Sequence, residues 1–248
     1  MTKIIALSGK GGVGKTSISA LLLRALRKIP GKRIIAIDGD PAVGYSTALG
    51  LNVRKTLDDI RMEIIQEANT GEKESRAAIL QRLDYELADS LIEEKGFAFL
   101  AIGRPEGKGC YCKINEFLKQ MIGDLVLNFD YVIIDGEAGI EQVNRRVMER
   151  VTHLLLVSDA SRKGINVAKA IYNVAQSSMR YEKVGLLFNR VKPSDDEDIA
   201  DTGPLPVIGT LRESNAIHTA DILGQSLLTL PEDDVIRESE RILCHFLE

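Results

Sequence analysis

Residues 3–16 read Lys3-Ile4-Ile5-Ala6-Leu7-Ser8-Gly9-Lys10-Gly11-Gly12-Val13-Gly14-Lys15-Thr16. The first six form a short apolar run without alternation, the pattern of a strand buried on both faces. Glycines interrupt it. Over 16–29, apolar side chains at Ile18, Leu21, Leu22, Ala25, Leu26 and Ile29 keep a helical period, which Pro30-Gly31 ends. Residues 33–37 form the next strand, closed by Asp38-Gly39-Asp40-Pro41. Strand, helix and strand in forty residues predict a crossover and a parallel pair.

The same alternation runs on. Buried-strand patterns recur at 97–102, 131–134, 154–157, 184–188 and 206–208, with helical periods over about 114–128, 140–151, 163–178 and 213–223. They predict an α/β fold: a doubly wound, mostly parallel sheet of about seven or eight strands with helices on both faces. A single P-loop domain over 1–248 is expected. The stretch 56–95 is charged and mostly helical, with Gly71 as a break, and is longer than a crossover requires. It predicts an added helical layer. Residues 194–201 read as a solvated acidic loop.

The composition is 44% hydrophobic and 27% charged, which is ordinary for a globular protein. A net charge of −4 gives no help in gathering phosphate backbones, so no nucleic-acid partner is expected. No apolar run approaches the ~18–20 residues that span a bilayer. The segment before the glycines is too short for a signal peptide. No membrane association and a cytoplasmic location are expected. In a reducing compartment, three cysteines point to metal binding, catalysis or burial rather than disulfides.

Gly9-x-x-x-x-Gly14-Lys15-Thr16 fits the phosphate-loop pattern, with the strand before it and the helix after it that the pattern requires. Such glycines let successive N–H groups face one anion, beside the positive end of the following helix. Gly11, Gly12, Val13, Gly14, Lys15, Thr16 and Ser17 are the candidate nucleotide contacts. Lys15 suits the β- and γ-phosphates and the Thr16 hydroxyl suits Mg²⁺. The expected ligands are ATP or ADP with Mg²⁺. Asp38 and Asp135 each follow four apolar strand residues, which puts them where ligands sit in open parallel sheets.

Lys10-Gly11-Gly12-Val13-Gly14-Lys15-Thr16 resembles the deviant Walker A motif of the MinD/ParA/nitrogenase-iron-protein class of ATPases. The resemblance implies an ATP-bridged homodimer in which Lys10 reaches the partner's nucleotide and adds a second cation to Lys15. It further implies that Asp38 and Asp135 hold Mg²⁺ through waters and that Asp40 orients or deprotonates the attacking water. Asp40-Pro41 would be the first switch. Asp135-Gly136-Glu137-Ala138-Gly139 would be the second, with the Gly139 N–H near the γ-phosphate. Asn189, in Leu186-Leu187-Phe188-Asn189-Arg190-Val191, matches the class segment that hydrogen-bonds adenine. Two positions depart from the class: Glu137 replaces a common proline, and Arg212 stands where relatives often carry proline beside the base.

Cys110-Tyr111-Cys112 follows a glycine-rich loop. In an extended segment residues i and i+2 face one side, so two thiolates can approach one soft cation. A two-fold dimer would complete a Cys₄ site. Cys244, beside Leu243 and Phe246, suits burial, and His153, His218 and His245 lack ligand spacing to the pair. Gly109-Cys110-Tyr111-Cys112 together with Ala138-Gly139-Ile140-Glu141 resembles the CooC-type ATPases and their AcsF relatives, which mature nickel enzymes such as carbon monoxide dehydrogenase. That resemblance implies Ni²⁺ or Zn²⁺ at a cysteine site shared by the homodimer, and a client nickel metalloenzyme as partner. Two rivals remain: a MinD- or ParA-like positioning ATPase, and an iron–sulfur reductase or scaffold like the nitrogenase iron protein.

Overall fold

A computed structural model describes residues 1–40, 42–69, 76–103, 112–136, 150–195 and 201–248, with backbone alone at 67–69, 76–80, 112–115 and 117. Eight strands form one sheet in the order β3-β4-β2-β5-β1-β6-β7-β8. They are β1 (Lys3–Gly9), β2 (Ile34–Asp38), β3 (Ile92–Glu94), β4 (Phe97–Ala101), β5 (Tyr131–Asp135), β6 (His153–Ser158), β7 (Lys183–Val191) and β8 (Val207–Arg212). All neighbours are parallel except β3, which runs antiparallel to β4. The described helices are α1 (Lys15–Leu26), α2 (Gly44–Leu49), α3 (Leu57–Asn69), α4 (Arg76–Ser90), α5 (Cys112–Val126), α6 (Arg162–Ser178), α7 (Asn215–Leu223) and α8 (Asp234–Leu247).

Side-chain alternation along each strand splits the core into two layers. Ile4 and Ala6 face one side with Ile35, Ile37, Val132, Ile134, Leu154 and Leu156, covered by Ile60, Leu83, Ile122 and Ile165 from α3 to α6. Ile5 and Leu7 face the other with Ala36, Ile133, Leu155 and Leu187, covered by α1, α2, α7 and α8. Because both faces are covered, the strands read as continuous apolar runs. β1 lies between β5 and β6, and the chain visits one side of it before crossing to the other. A ligand crevice is expected beyond the carboxyl end of such a strand.

The expected helical layer over 56–95 is α3 and α4, and the stretch ends in β3, which periodicity did not suggest. The C-terminal helix α8 packs on the sheet at β8 and on α1, burying Ile236, Ile242, Leu243, Phe246 and Leu247 there. Lys28 ties α1 to α8 through Glu240 at 2.6 Å. Of the helix expected over 140–151, residues 140–149 lie outside the described residues, while Arg150 is not helical and bridges Arg180. The break at Gly71 lies outside them too, as do Pro41, Glu137, Gly139 and Cys110.

Candidate functional site

The strand–loop–helix turn is fixed by two glycines with separate reasons. A Cβ on Gly9 would lie 2.1 Å from the Val157 carbonyl oxygen on β6. Gly14 caps α1 with φ +88°, and a Cβ there would meet Asn189 Nδ2 at 2.5 Å. α1 begins with neither a side-chain cap nor an acid in its first turn. Its first N–H groups and the positive end of its dipole are thereby kept for an anion. Lys15 Nζ curls back onto the loop, 3.3 Å from the Gly9 and Lys10 carbonyl oxygens. Ser17 lies in the first turn of α1 and lines a cleft shared with Asn189 and Arg190.

Asp38 and Asp135 sit in register at the ends of β2 and β5, both fully buried. Asp135 Oδ2 accepts from the Thr16 hydroxyl at 2.7 Å, and its Oδ1 accepts from the Ser19 hydroxyl at 2.9 Å. Asp38 accepts from the Asp40 N–H at 3.0 Å and the Tyr45 N–H at 2.9 Å. Burial, reinforced by the charge of Asp135, pushes the Asp38 carboxyl up to about 7. Burial pushes Asp135 up to about 6, against the bonds from Thr16 and Ser19 and the charge of Lys15. Two crowded, desolvated carboxylates and a hydroxyl are hard oxygen donors, which fits Mg²⁺. A dication there would restore both to the charged form. Among the described residues no three Asp, Glu, His or Cys side chains converge as a ready-made metal cage. That agrees with the habit of Mg²⁺ of keeping water and phosphate oxygens in its shell.

Asp40 is less buried and caps its own turn, with Oδ1 accepting from the Ala42 N–H at 2.8 Å. Val43 follows at φ +52°, a left-handed conformation that is an outlier for a β-branched residue. Tyr45, fully buried, donates its hydroxyl to the Ser19 carbonyl oxygen at 3.0 Å and so ties α2 to α1.

On the β7 side of the phosphate loop, the β7–β8 register breaks between Phe188 and Val191. Arg190 adopts φ +59° in that irregularity. A bulge re-aims side chains, and here both residues within it turn to the phosphate loop. Asn189 Nδ2 donates to the Val13 carbonyl oxygen at 2.9 Å, and Arg190 Nη1 donates to that of Gly12 at 3.2 Å. Asn189 therefore spends part of its amide on the loop as well as lining the neighbouring cleft. That cleft, about 410 Å³ including open solvent, is also lined by Arg212, Leu211, Ile217 and His218.

Lys10 leaves the loop and pairs with Asp159 at 2.8 Å in its own chain. Asp159 follows β6 as Asp38 ends β2, so a carboxylate behind an apolar run was a signal available for it. Ser19 also had a signal: Thr16 and Ser19 are three apart and share a helix face. The turn of Arg190 had none. Cys112 is the first residue of α5, and its side chain, like all of Cys110, lies outside the described residues. Cys244 is partly buried in α8, which raises its thiol pKa. No helix among the described residues is long and apolar enough to cross a membrane.

Solved structures share this architecture. A ParA family ATPase from Chlorobium tepidum superposes with a TM-score of 0.71 at 19% identity, covering 98% of each chain. MinD from Pyrococcus horikoshii, complexed with Mg-ADP, gives 0.68 at 21% identity, over 98% of this chain and 95% of that one. In sequence, an uncharacterized ATP-binding protein of Methanocaldococcus jannaschii is 37% identical over 247 residues, 96% of each chain. The carbon monoxide dehydrogenase accessory protein CooC of Rhodospirillum rubrum is 28% identical over 237 residues, 91% of this chain and 89% of its own. MinD of Thermotoga maritima is also 28% identical, over 231 residues. The model of the CobQ/CobB/MinD/ParA nucleotide binding domain matches residues 4–227. With its phosphate loop, buried carboxylate pair and sheet order, the chain belongs to that family, as a P-loop ATPase of the MinD/ParA class.

Proposed function

We propose that residues 1–248 work as one cytoplasmic Mg²⁺-dependent ATPase domain that dimerises on ATP and delivers nickel to a client metalloenzyme. The observation that carries this reading is the Cys110-Tyr111-Cys112 pair. The chain between Gly103 and Cys112 joins the carboxyl end of β4 to α5. That is the same edge of the sheet from which the phosphate loop, Asp38 and Asp135 rise. CooC, by its name an accessory protein of carbon monoxide dehydrogenase, is a relative over nearly the whole chain. Nickel is cargo here, held by thiolates that also suit zinc.

In the nucleotide reaction, α1 and Lys15 bind the phosphates, and Thr16, Asp38 and Asp135 would hold Mg²⁺, which would supply charge neutralisation at the phosphates. Asp40 positions the attacking water, Lys10 acts on the partner's nucleotide, and Asn189 reads adenine. Gly139 is assigned the γ-phosphate contact.

The deciding measurement is anaerobic metal content with oligomeric mass, for wild type and Cys112→Ala, with MgADP or a non-hydrolysable ATP analogue. One metal per dimer, lost in the variant, supports delivery. A wild type that dimerises with ATP yet takes up no nickel or zinc sinks it.

A positioning ATPase of the MinD or ParA kind is the second reading, favoured by the similarity to MinD sequences. Against a membrane-bound form, α8 has already buried its apolar face on α1 and β8. Co-sedimentation with anionic vesicles or with DNA separates the two readings.

A further inference from the structure

We infer that Arg190 is a positioning residue for the phosphate loop: by holding the Gly12 carbonyl from behind, it turns the Val13 N–H toward the anion before nucleotide arrives. The inference rests on the loop binding nucleotide as in the family, and needs neither the nickel nor the dimer reading.

Arg190 is held in an uncommon backbone state. Its φ of +59° lies in the left-handed region, inside the irregular pairing of β7 with β8. Glycine and asparagine adopt that region more readily than arginine. Outliers of this kind gather where the surrounding structure holds them for a function. What the conformation achieves is reach. Arg190 Nη1 donates to the Gly12 carbonyl oxygen at 3.2 Å, and Asn189 Nδ2 donates to that of Val13 at 2.9 Å. Both side chains pass beside Gly14, where a Cβ would lie 2.5 Å from Asn189 Nδ2 and 3.5 Å from Arg190 Nε. Gly12 has no anchor of its own. It is exposed, its φ is +81°, and a Cβ on it would meet nothing within 4 Å. Val13, by contrast, buries its side chain in the core.

A peptide group is planar, and in the trans form its C=O and N–H point to opposite sides. The Gly12 carbonyl and the Val13 N–H share one such plane. The Val13 carbonyl and the Gly14 N–H share the next. Tying both oxygens down on the Arg190 side therefore aims both N–H groups the other way, into the hollow ahead of α1. Successive N–H groups facing one hollow make an anion site. Lys15 also bonds loop carbonyls, those of Gly9 and Lys10, but it is the cation that has to move onto the β- and γ-phosphates. Arg190 stands behind the loop and keeps its bond when phosphate binds. A loop without that bond has to fix the Gly12–Val13 plane during binding, and the ordering weakens affinity.

The test uses the full chain as wild type, Arg190→Met and Arg190→Gly. Titration calorimetry gives MgADP affinity, and NMR relaxation of the nucleotide-free protein gives order parameters for the Val13 and Gly14 amides. Arg190→Met removes the donor and keeps an unbranched stem. Arg190→Gly removes the whole side chain and suits the left-handed backbone. Both are expected to bind MgADP about fivefold more weakly, the scale of one hydrogen bond. The Val13 order parameter should fall from about 0.85 toward about 0.6. Gly14, still tied through Asn189, should stay rigid. Arg190→Gly should melt no lower than wild type, which separates the latch from a part in folding. Wild-type affinity in both variants overturns the proposal. So does a Val13 amide that stays rigid while affinity falls, which assigns the guanidinium to the phosphates directly. Arg190→Gly melting well below wild type, with both amides loosened alike, makes Arg190 part of the scaffold and overturns it too. A wild type that binds no MgADP removes the nucleotide reading of the loop, and the proposal with it.

Discussion

The Thr16 hydroxyl donates to Asp135 Oδ2 at 2.7 Å, tying the first turn of α1 to the last residue of β5. Here the two groups satisfy each other, and a Mg²⁺ bound in the proposed site would draw on both. Ser19 holds the opposite oxygen of the same carboxylate. Ser19→Ala should therefore weaken nucleotide binding about tenfold when Mg²⁺ is present, as losing a ligand's supporting hydrogen bond commonly does. Binding in EDTA should be unchanged. Titrations with ADP and MgADP check both arms, and an equal loss in each would remove Ser19 from the metal's surroundings.

The raised carboxyls give a pH signature. Asp38 at about 7 and Asp135 at about 6 bind protons in the folded protein that the unfolded chain, at 3.8, has released. The contribution of these groups to stability therefore falls as pH rises from about 4 to 7. Relative to wild type, Asp38→Asn should gain thermal stability across that interval when metal and nucleotide are absent. MgADP binding near pH 6.5 should release protons from the wild type and fewer from Asp38→Asn. Calorimetry in buffers of different ionisation enthalpy measures the release, and equal proton counts would contradict the coupling.

Asp40 is placed apart from the buried pair, at the start of the turn that ends in Val43. Asp40→Asn should lower kcat by about a hundredfold or more, the range expected on losing a general base. ATP-dependent dimerisation should survive. Single-turnover hydrolysis alongside light scattering separates the two effects, and normal turnover would exclude Asp40 from water activation.

Neighbouring glycines of the loop should respond unequally. Gly14→Ala forces a side chain to φ +88° and against the Asn189 amide. It should cost about 1–2 kcal/mol of stability from the backbone alone and weaken nucleotide binding further by displacing Asn189. A Cβ on Gly11 meets nothing within 4 Å, so Gly11→Ala should stay within about 0.5 kcal/mol of wild type. Urea unfolding compares them.

Most of this site was legible because its chemistry follows strand ends. Runs of apolar residues that stop at Asp38 and Asp135 announce both the sheet and the place where its carboxylates emerge. Asp159 escaped because Ser158-Asp159-Ala160-Ser161 also has the composition of a helix start, and it serves as one. The turning of Asn189 and Arg190 onto the phosphate loop depends on a register irregularity between β7 and β8, which local composition does not encode. β3 stayed hidden for a related reason. With Glu93 and Glu94 in a three-residue strand, no periodicity can form, and pairing with β4 across the Gly96 turn alone makes it a strand.

That same short strand has a consequence for how the molecule keeps company. Glu93 and Glu94 lie exposed along one rim of the sheet. A rim this brief and this negative repels another chain that would otherwise zip onto its open amides. Crowded copies are steered away from endless ribbons. An association that stops at two, as the proposed dimer does, would have to use another surface.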